Sequence, residues 1–182
     1  MVRLDKIYTK GGDGGETGLG DGSRVSKAHP RIAGLGAVDE TNCAIGIART
    51  LAEGATDAML GRIQNDLFDL GADLSAPQGE RERLRIVETQ VIRLEHEIDA
   101  MNAQLAPLTS FILPGGTALA AHLHMARAIA RRAEGAIVAL TAMEDINPWA
   151  MRYANRLSDH LFVMARTANG GHDVLWVPGH NR

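Results

Sequence analysis

Aromatic residues are scarce in this sequence, whose 182 residues include only 2 Trp, 2 Tyr and 3 Phe. The single cysteine, Cys43, permits no internal disulfide, which is typical of a reducing compartment, so we expect a cytoplasmic protein. No apolar run approaches the roughly 20 residues that a membrane span needs, and the first residues lack the apolar core of a secretory signal. We therefore expect neither a membrane protein nor a disulfide scaffold.

The charge distribution is uneven. The net charge of −3 and the pI of about 6.1 exclude a general nucleic-acid binder. Residues 1–31 nevertheless carry 6 basic and 4 acidic side chains, while the rest of the chain is acidic. A basic arm on an acidic body indicates a small anionic ligand.

Glycine is concentrated at one end of the chain, where residues 11–22 hold 7 of the 20 glycines. Residues 1–29 show no helical period, and their Asp-Gly pairs predict turns. Glycines let backbone N–H groups point at an anion, but the spacing matches neither a Walker A loop nor a Rossmann fingerprint. The segment is therefore either a phosphate-binding loop or a flexible arm.

Helical periodicity fills most of the remaining chain and predicts five helices, over 31–52, 56–74, 83–105, 117–142 and 147–168. Asn147-Pro148 supplies an N-cap and a first-turn proline, and the apolar residues from Leu84 to Leu105 follow a heptad. The pattern predicts a single domain over 1–182, all-α, with an up-and-down five-helix bundle over 31–168. Residues 1–29 form its irregular Gly-rich arm, and residues 169–182 form a tail that is extended at 174–177.

A polar stripe runs along the fourth predicted helix. Arg127, Arg131 and Glu134 share one face, and His124 extends this face by one turn. Such a stripe is either a solvated surface or a cluster of guanidinium groups that binds polyphosphate.

Two further polar stripes lie on the first and fifth helices. Asn155 and Asp159 share a face, which taken alone is a surface feature. We expect Asp39 to be semi-buried beside Asn42 and therefore to need a partner, for which Arg127 is a candidate.

Two kinds of site have no sequence signature. The paired Glu-x-x-His motifs of a di-iron bundle are missing, so no protein metal site is expected. Neither Cys43 nor any serine has the neighbours of an activated nucleophile.

Taken together, the motifs resemble the PduO-type ATP:cob(I)alamin adenosyltransferases, a family of five-helix bundles. Seven motifs occur in the family's order: Tyr8-Thr9-Lys10-x-Gly12-Asp13-x-Gly15-x-Thr17, Ser26-Lys27, Val38-Asp39-Glu40-x-Asn42, Gln64-Asn65-Asp66-Leu67-Phe68-x-Leu70-Gly71-Ala72, Phe111-x-Leu113-Pro114-Gly115-Gly116, Arg127-x-x-x-Arg131-Arg132-Ala133-Glu134 and Asn155-Arg156-Leu157-Ser158-Asp159. The resemblance implies transfer of the 5′-deoxyadenosyl group of ATP to the cobalt of cob(I)alamin, with triphosphate as the leaving group and Mg²⁺ bound to it.

The resemblance also implies a homotrimer with ATP between subunits. The ATP-contacting positions that match are Thr9, Lys10, Gly11, Gly12, Thr17, Lys27, Arg131, Glu134 and Asn155. Asp39 and Arg127 would pair across the subunit interface, and Phe111 would lie beside the corrin. A flavin reductase and an adenosylcobalamin-dependent enzyme are the implied partners.

One position departs from the family pattern, because the usually basic residue after Glu134 is Gly135 here. This puts one phosphate contact in doubt. The alternative function is a cobalamin chaperone that binds and delivers the cofactor without turnover.

Overall fold

The computed structural model describes residues 7–79, 83–180 and 182, and its regular structure is almost entirely helical. Five helices follow one another along the chain: α1 Pro30–Arg49, α2 Gly54–Leu74, α3 Glu88–Asn102, α4 Ala118–Thr141 and α5 Pro148–Ala168. Side chains cap three of them, since His29 accepts from the Arg31 amide at 3.2 Å, Thr117 from the Ala120 amide at 3.2 Å and Asn147, as the sequence predicts, from the Trp149 amide at 3.1 Å. The all-α five-helix bundle is confirmed.

The helices pack in the spatial order α2, α1, α4, α5, α3. Their apolar faces build one core, in which small alanines such as Ala126, Ala130 and Ala154 bring α4 and α5 close together. Tyr153 is the one aromatic residue among the buried core residues of the described chain. The scarcity of aromatics therefore follows from close helix packing.

A buried carboxylate joins the outer helices α2 and α3. Asp66 accepts hydrogen bonds from Gln90 Nε2 at 2.9 Å and from Tyr153 Oη at 2.8 Å, and it pairs with Arg93. This polar contact draws three helices together, because a buried carboxylate needs several donors.

The third helix is shorter than the predicted 83–105. Residues 83–87 are not helical, because Asp73 on α2 accepts from the Ile86 amide at 2.9 Å and from Arg85 at 2.7 Å. Leu84 and Val87, which continue the heptad in sequence, are 58% and 50% exposed.

The N-terminal arm is more regular than expected. Strands β1 Glu16–Gly18 and β2 Arg24–Ser26 form an antiparallel hairpin in which Thr17 faces Val25. The arm docks on the end of α2 through the Gly20 amide, which donates to the Ser75 carbonyl at 2.8 Å. Residues 1–6 of the arm lie outside the described residues.

The C-terminal tail pairs with the linker between α3 and α4, as an extended segment at 174–177 requires. Ile112 and Leu175 form an isolated antiparallel bridge. Within the part of the chain that the structure describes, no helix is long and apolar enough to cross a membrane.

Candidate active site

The Gly-rich loop closes on itself before β1 and is completed by Lys27 after β2. The Asp13 amide donates to the Lys10 carbonyl at 3.2 Å, and the Lys27 amide donates to the Gly15 carbonyl at 2.8 Å. A Cβ at Gly12 would lie 2.9 Å from Lys27 Nζ, so glycine there lets the ammonium group approach the loop backbone. Thr9, Lys10, Gly11, Gly12, Thr17 and Lys27 are thus brought together.

The polar stripe on α4 is present as predicted. Arg131 is exposed and Glu134 is half-buried one turn later. Asn155 on α5 joins this stripe, because its Nδ2 donates to Glu134 Oε1 at 2.7 Å. Two segments far apart in sequence therefore form one polar surface.

Arg127 lies on the same stripe and has no anionic partner in the part of the chain that the structure describes. Its Nε is buried and has no hydrogen-bond partner among the described residues. Burial, and then the charge of Arg131, lower the pKa of the Arg127 guanidinium from its usual value, although it stays charged at neutral pH. Neighbouring guanidinium groups that repel one another favour an anion between or beside them.

The loop and the α4 stripe lie apart in a single chain. Helices α1 and α4 run antiparallel, with Arg31 paired to Glu144 and Glu40 paired to Arg132. The arm joins α1 at His29, whose Nε2 lies 3.7 Å from Glu144 Oε1, whereas Arg131 precedes Glu144 by 13 residues, about 20 Å at the helical rise. The predicted nucleotide residues therefore form two half-sites.

Asp39 is exposed rather than semi-buried, so that expectation is wrong. It lies on the rim of a groove of about 400 Å³ between α1 and α2, with Asn42 and Phe68. Asn42 is buried, and its Nδ2 donates to the Gln64 carbonyl on α2 at 3.2 Å, while Asp39 stays exposed in the same groove. No ion pair between Asp39 and Arg127 occurs within the described chain.

A cavity of about 650 Å³ lies beside Arg127, at the end of α4 that the linker reaches. Three of the seven aromatic residues of the chain contribute to the cavity or its rim: Phe111, Phe162 and Trp176. Phe111 is 77% exposed, and its ring centre lies 6.1 Å from that of Trp176. A wide apolar cavity that opens beside a cationic stripe suits a large, mostly apolar ligand next to a polyanion.

His124 lies in the wall of this cavity with its polar atoms unsatisfied. Its side chain is 3% exposed, and neither ring nitrogen has a hydrogen-bond partner in the described part of the chain. Burial, and then the charge of Arg127, lower the pKa of the imidazole. His124 is therefore neutral near pH 7, with one donor and one acceptor available.

Sequence reasoning missed Phe162 and Trp176. Phe162 occupies a helical position that is typical of a core residue. Trp176 follows the last helix in a short apolar tail. Their rarity was the available signal, since few of the aromatic residues of the chain are used for core packing.

Comparisons with known proteins identify the family of the chain and match its fold. The family model for cobalamin adenosyltransferase matches residues 7–168. A corrinoid adenosyltransferase of Mycobacterium leprae is 48% identical, with 98% of each chain covered, and a cobalamin adenosyltransferase of Cupriavidus metallidurans is 49% identical over 96% of this chain and 95% of its own length. A variant of the PduO-type ATP:corrinoid adenosyltransferase from Lactobacillus reuteri, solved with cobalamin and ATP, superposes with a TM-score of 0.90 at 40% identity, covering 95% of this chain and 97% of that one. The chain therefore belongs to the cobalamin adenosyltransferase family.

Proposed function

We propose that this protein transfers the 5′-deoxyadenosyl group of ATP to the cobalt of cob(I)alamin and releases triphosphate. The observation that carries the proposal is the cavity of about 650 Å³ with Phe111 at its side and Arg127 at its edge. It offers a large apolar surface for a corrin directly beside a row of cations for a polyphosphate. The Lactobacillus reuteri relative holds cobalamin and ATP together, as this arrangement requires.

ATP binds, in this proposal, between two copies of the chain. The Gly-rich loop with Thr9, Thr17 and Lys27 covers the nucleotide from one copy. Arg131, Glu134 and Asn155 complete the pocket from the other. The separation of about 20 Å along α4 between Arg131 and the end of the helix at which the arm joins α1 supports a shared site. In a homotrimer, each interface would combine one half-site of each kind. No half-site would then be left without its counterpart.

Asp39 and Arg127 pair across the same interface. Each is a charged side chain without an opposite charge inside its own described chain, and Arg127 has a buried Nε to satisfy. A partner carboxylate offsets the desolvation of the Arg127 guanidinium.

The reaction requires correct positioning of the two substrates and electrostatic stabilisation of the leaving group, and it requires no general base. The cobalt of the substrate attacks the 5′ carbon, its electron pair forms the Co–C bond, and the C–O bond to triphosphate breaks. Negative charge grows on the leaving group, and Lys27, Arg131 and the loop N–H groups are placed to stabilise it. This explains why the chain carries no activated nucleophile.

Mg²⁺ fits the nucleotide half-site. Mg²⁺ prefers one or two carboxylates together with substrate phosphates. Glu134 is a single carboxylate beside Arg131, and the described residues contain no three-residue metal cluster. Glu134 would hold the ion, which supplies further charge neutralisation on the triphosphate.

Phe111 acts at the corrin face. An exposed ring at the mouth of an apolar cavity excludes water and the lower axial ligand from cobalt, which favours the four-coordinate cobalt(II) form that is more easily reduced. A flavin reductase would supply the electron, and an adenosylcobalamin-dependent enzyme would receive the product.

The lone, exposed Cys43 supports a cytoplasmic setting, and one domain over 1–182 carries the whole activity.

One assay tests the proposal. The protein is mixed with ATP and chemically reduced cobalamin, and adenosylcobalamin is followed by absorbance. Formation of the product at many turnovers per chain supports an adenosyltransferase. Binding of cobalamin without product indicates a chaperone that only delivers the cofactor, and overturns the proposal.

A further inference from the structure

A buried polar junction lies at the end of α5, outside the cavity. Arg166 Nε donates to Asp173 Oδ2 at 2.9 Å, and Arg166 Nη2 donates to the Ala106 carbonyl at 2.9 Å. The two charged side chains are only 6% and 4% exposed. Arg166 therefore ties the start of the C-terminal tail to the start of the linker that carries Phe111.

Asn169 ties the other end of the linker to the same point. Its Nδ2 donates to the Gly115 carbonyl at 3.0 Å and to Asp173 Oδ1 at 3.2 Å, and its Oδ1 accepts from the Thr117 amide at 2.9 Å. Gly116 has a φ of +103°, and a Cβ there would overlap the Asn169 side chain. The Gly-Gly pair of the linker is thus explained by contact with Asn169.

Beyond the junction, the tail and the linker run side by side to the cavity. The Leu113 amide donates to the Val174 carbonyl at 2.8 Å, and the Trp176 amide donates to the Phe111 carbonyl at 2.7 Å. Ser110 Oγ adds a bond to the Trp176 carbonyl at 2.8 Å. Within the described residues, Phe111 and Trp176 form no such bonds to the helices, so the positions of both rings depend on the direction in which the paired segments leave the junction.

We propose that Arg166, Asn169 and Asp173 are positioning residues for the corrinoid: they fix the paired linker and tail so that Phe111 and Trp176 stand at the cavity. This inference rests on the proposed function. None of the three belongs to the cavity lining, so they act through the two aromatic rings rather than by contact with the corrinoid.

Because the junction lies apart from the nucleotide residues, its loss affects corrinoid binding and not ATP binding. Arg131, Glu134 and Asn155 lie at mid-helix on α4 and α5, and the Gly-rich loop docks on the end of α2. Loss of the junction releases the Phe111 segment but leaves both nucleotide half-sites in place. A general loss of stability would instead weaken the two substrates together.

Asp173→Asn is the principal test, because it keeps the shape and removes the charge that Arg166 needs. We expect the KM for cob(I)alamin to rise by about tenfold or more, as loss of a charged hydrogen bond predicts, while the KM for ATP changes by less than about twofold. The fraction of four-coordinate cobalt(II) seen by absorbance with ATP should fall. Asp173→Glu, which restores the charge, should recover much of the cobalamin affinity.

Asp73→Asn is the matched control. Asp73 is an equally buried carboxylate paired with an arginine, Arg85 at 2.7 Å, but it joins α2 to residues 83–87 and, through Asn147 Nδ2 at 2.7 Å, to the start of α5. Thermal unfolding of both variants measures the shared loss of stability. Asn169→Ala removes the second half of the junction without changing charge, so it replaces Asp173→Asn if that variant does not fold.

Binding of cob(II)alamin, followed by tryptophan fluorescence, gives a readout that needs no turnover. If Asp173→Asn and Asn169→Ala bind cobalamin like the unsubstituted protein, or if both substrates weaken together as in a merely destabilised protein, the inference is overturned. If the unsubstituted protein binds cobalamin but forms no product, the proposed reaction fails while the junction is still tested by affinity. If it binds no cobalamin, both fail.

Discussion

Asn155 on α5 donates from Nδ2 to Glu134 Oε1 on α4 at 2.7 Å, and this one bond connects the two polar stripes that the sequence shows separately. The Glu134 carboxylate is thereby held by α5, and the Arg131 guanidinium one turn earlier forms no ion pair within the described residues. An unpaired, exposed arginine next to a fixed carboxylate is arranged for a phosphate group with its metal ion rather than for internal stability.

Arg131→Ala should weaken ATP binding while the assembly stays intact. Charged hydrogen bonds contribute about 1.5–3 kcal/mol, so the Kd for ATP should rise about 10- to 100-fold in a calorimetric titration. Arg152→Ala is the control, because Arg152 is also exposed but stacks on Trp149 at 4.5 Å. An unchanged ATP titration for Arg131→Ala would remove this residue from the site.

Arg127→Ala and Asp39→Asn should each lower both activity and the stability of the trimer. Either change leaves the other charge unpaired at the proposed interface, a loss that costs about 3–5 kcal/mol when the pair is buried. Sedimentation at falling protein concentration measures the dissociation. Asp57→Asn breaks a pair inside one chain, with Arg49 at 2.7 Å, and should leave the mass unchanged. Variants of Asp39 and Arg127 that sediment as the unsubstituted protein does would contradict the pairing.

Much of the fold was predictable because helix periodicity and caps are local. Thr117 and Asn147 start α4 and α5 where the sequence places them, and the observed ends differ from the predicted ones by a few residues. The error at 83–87 has a different origin. Leu84 and Val87 continue a heptad, but Asp73 holds the segment in a non-helical conformation through hydrogen bonds that no local pattern reveals.

The sequence predicts which polar residues of the candidate site share a helix face, but it does not predict how the helices place these faces relative to one another. Arg127, Arg131 and Glu134 share a face because helical spacing requires it. That Asp39 is exposed, and that the Gly-rich loop lies far from Arg131, depend on the antiparallel packing of α1 and α4. Trp176 is placed at the cavity by the pairing of the tail with the linker, whose bridge between Ile112 and Leu175 joins segments some 60 residues apart.

Phe111→Ala should slow turnover from cobalt(II) more than turnover from chemically reduced cobalt(I). The ring is the apolar group at the mouth of the cavity, and alanine there would readmit water or the axial ligand to cobalt. We expect at least about a tenfold loss of rate from cobalt(II), equivalent to about 1.4 kcal/mol. Leu84→Ala, another exposed apolar side chain, should have no effect. Equal rates and an unchanged cobalt(II) spectrum in Phe111→Ala would argue against this role.

His124 should make the fold acid-sensitive. Burial, and then Arg127, lower its folded pKa, with a smaller opposing effect of Asp173, whereas the unfolded imidazole titrates near 6.5. The unfolded state therefore binds the proton first, so stability is lost as the pH falls below about 6.5, by about 1.4 kcal/mol for each unit between the two pKa values. Denaturant unfolding between pH 7.5 and 5.5 should show a flatter dependence for His124→Asn. His122→Asn, on the exposed face of α4, should keep the slope of the unsubstituted protein.

Two substitutions at Gly135 separate an effect on the stability of the fold from an effect on ATP binding. It is exposed within α4, and a Cβ there would meet no atom within 4 Å, so Gly135→Ala should raise the free energy of unfolding by about 1 kcal/mol. Gly135→Arg should stabilise the helix similarly and also place a guanidinium one residue after Glu134. If a basic residue at this position contacts phosphate, only the arginine variant lowers the Kd for ATP, while the alanine variant leaves it unchanged. Equal ATP titrations for both variants, with both more stable in denaturant, would show that position 135 acts on the helix alone.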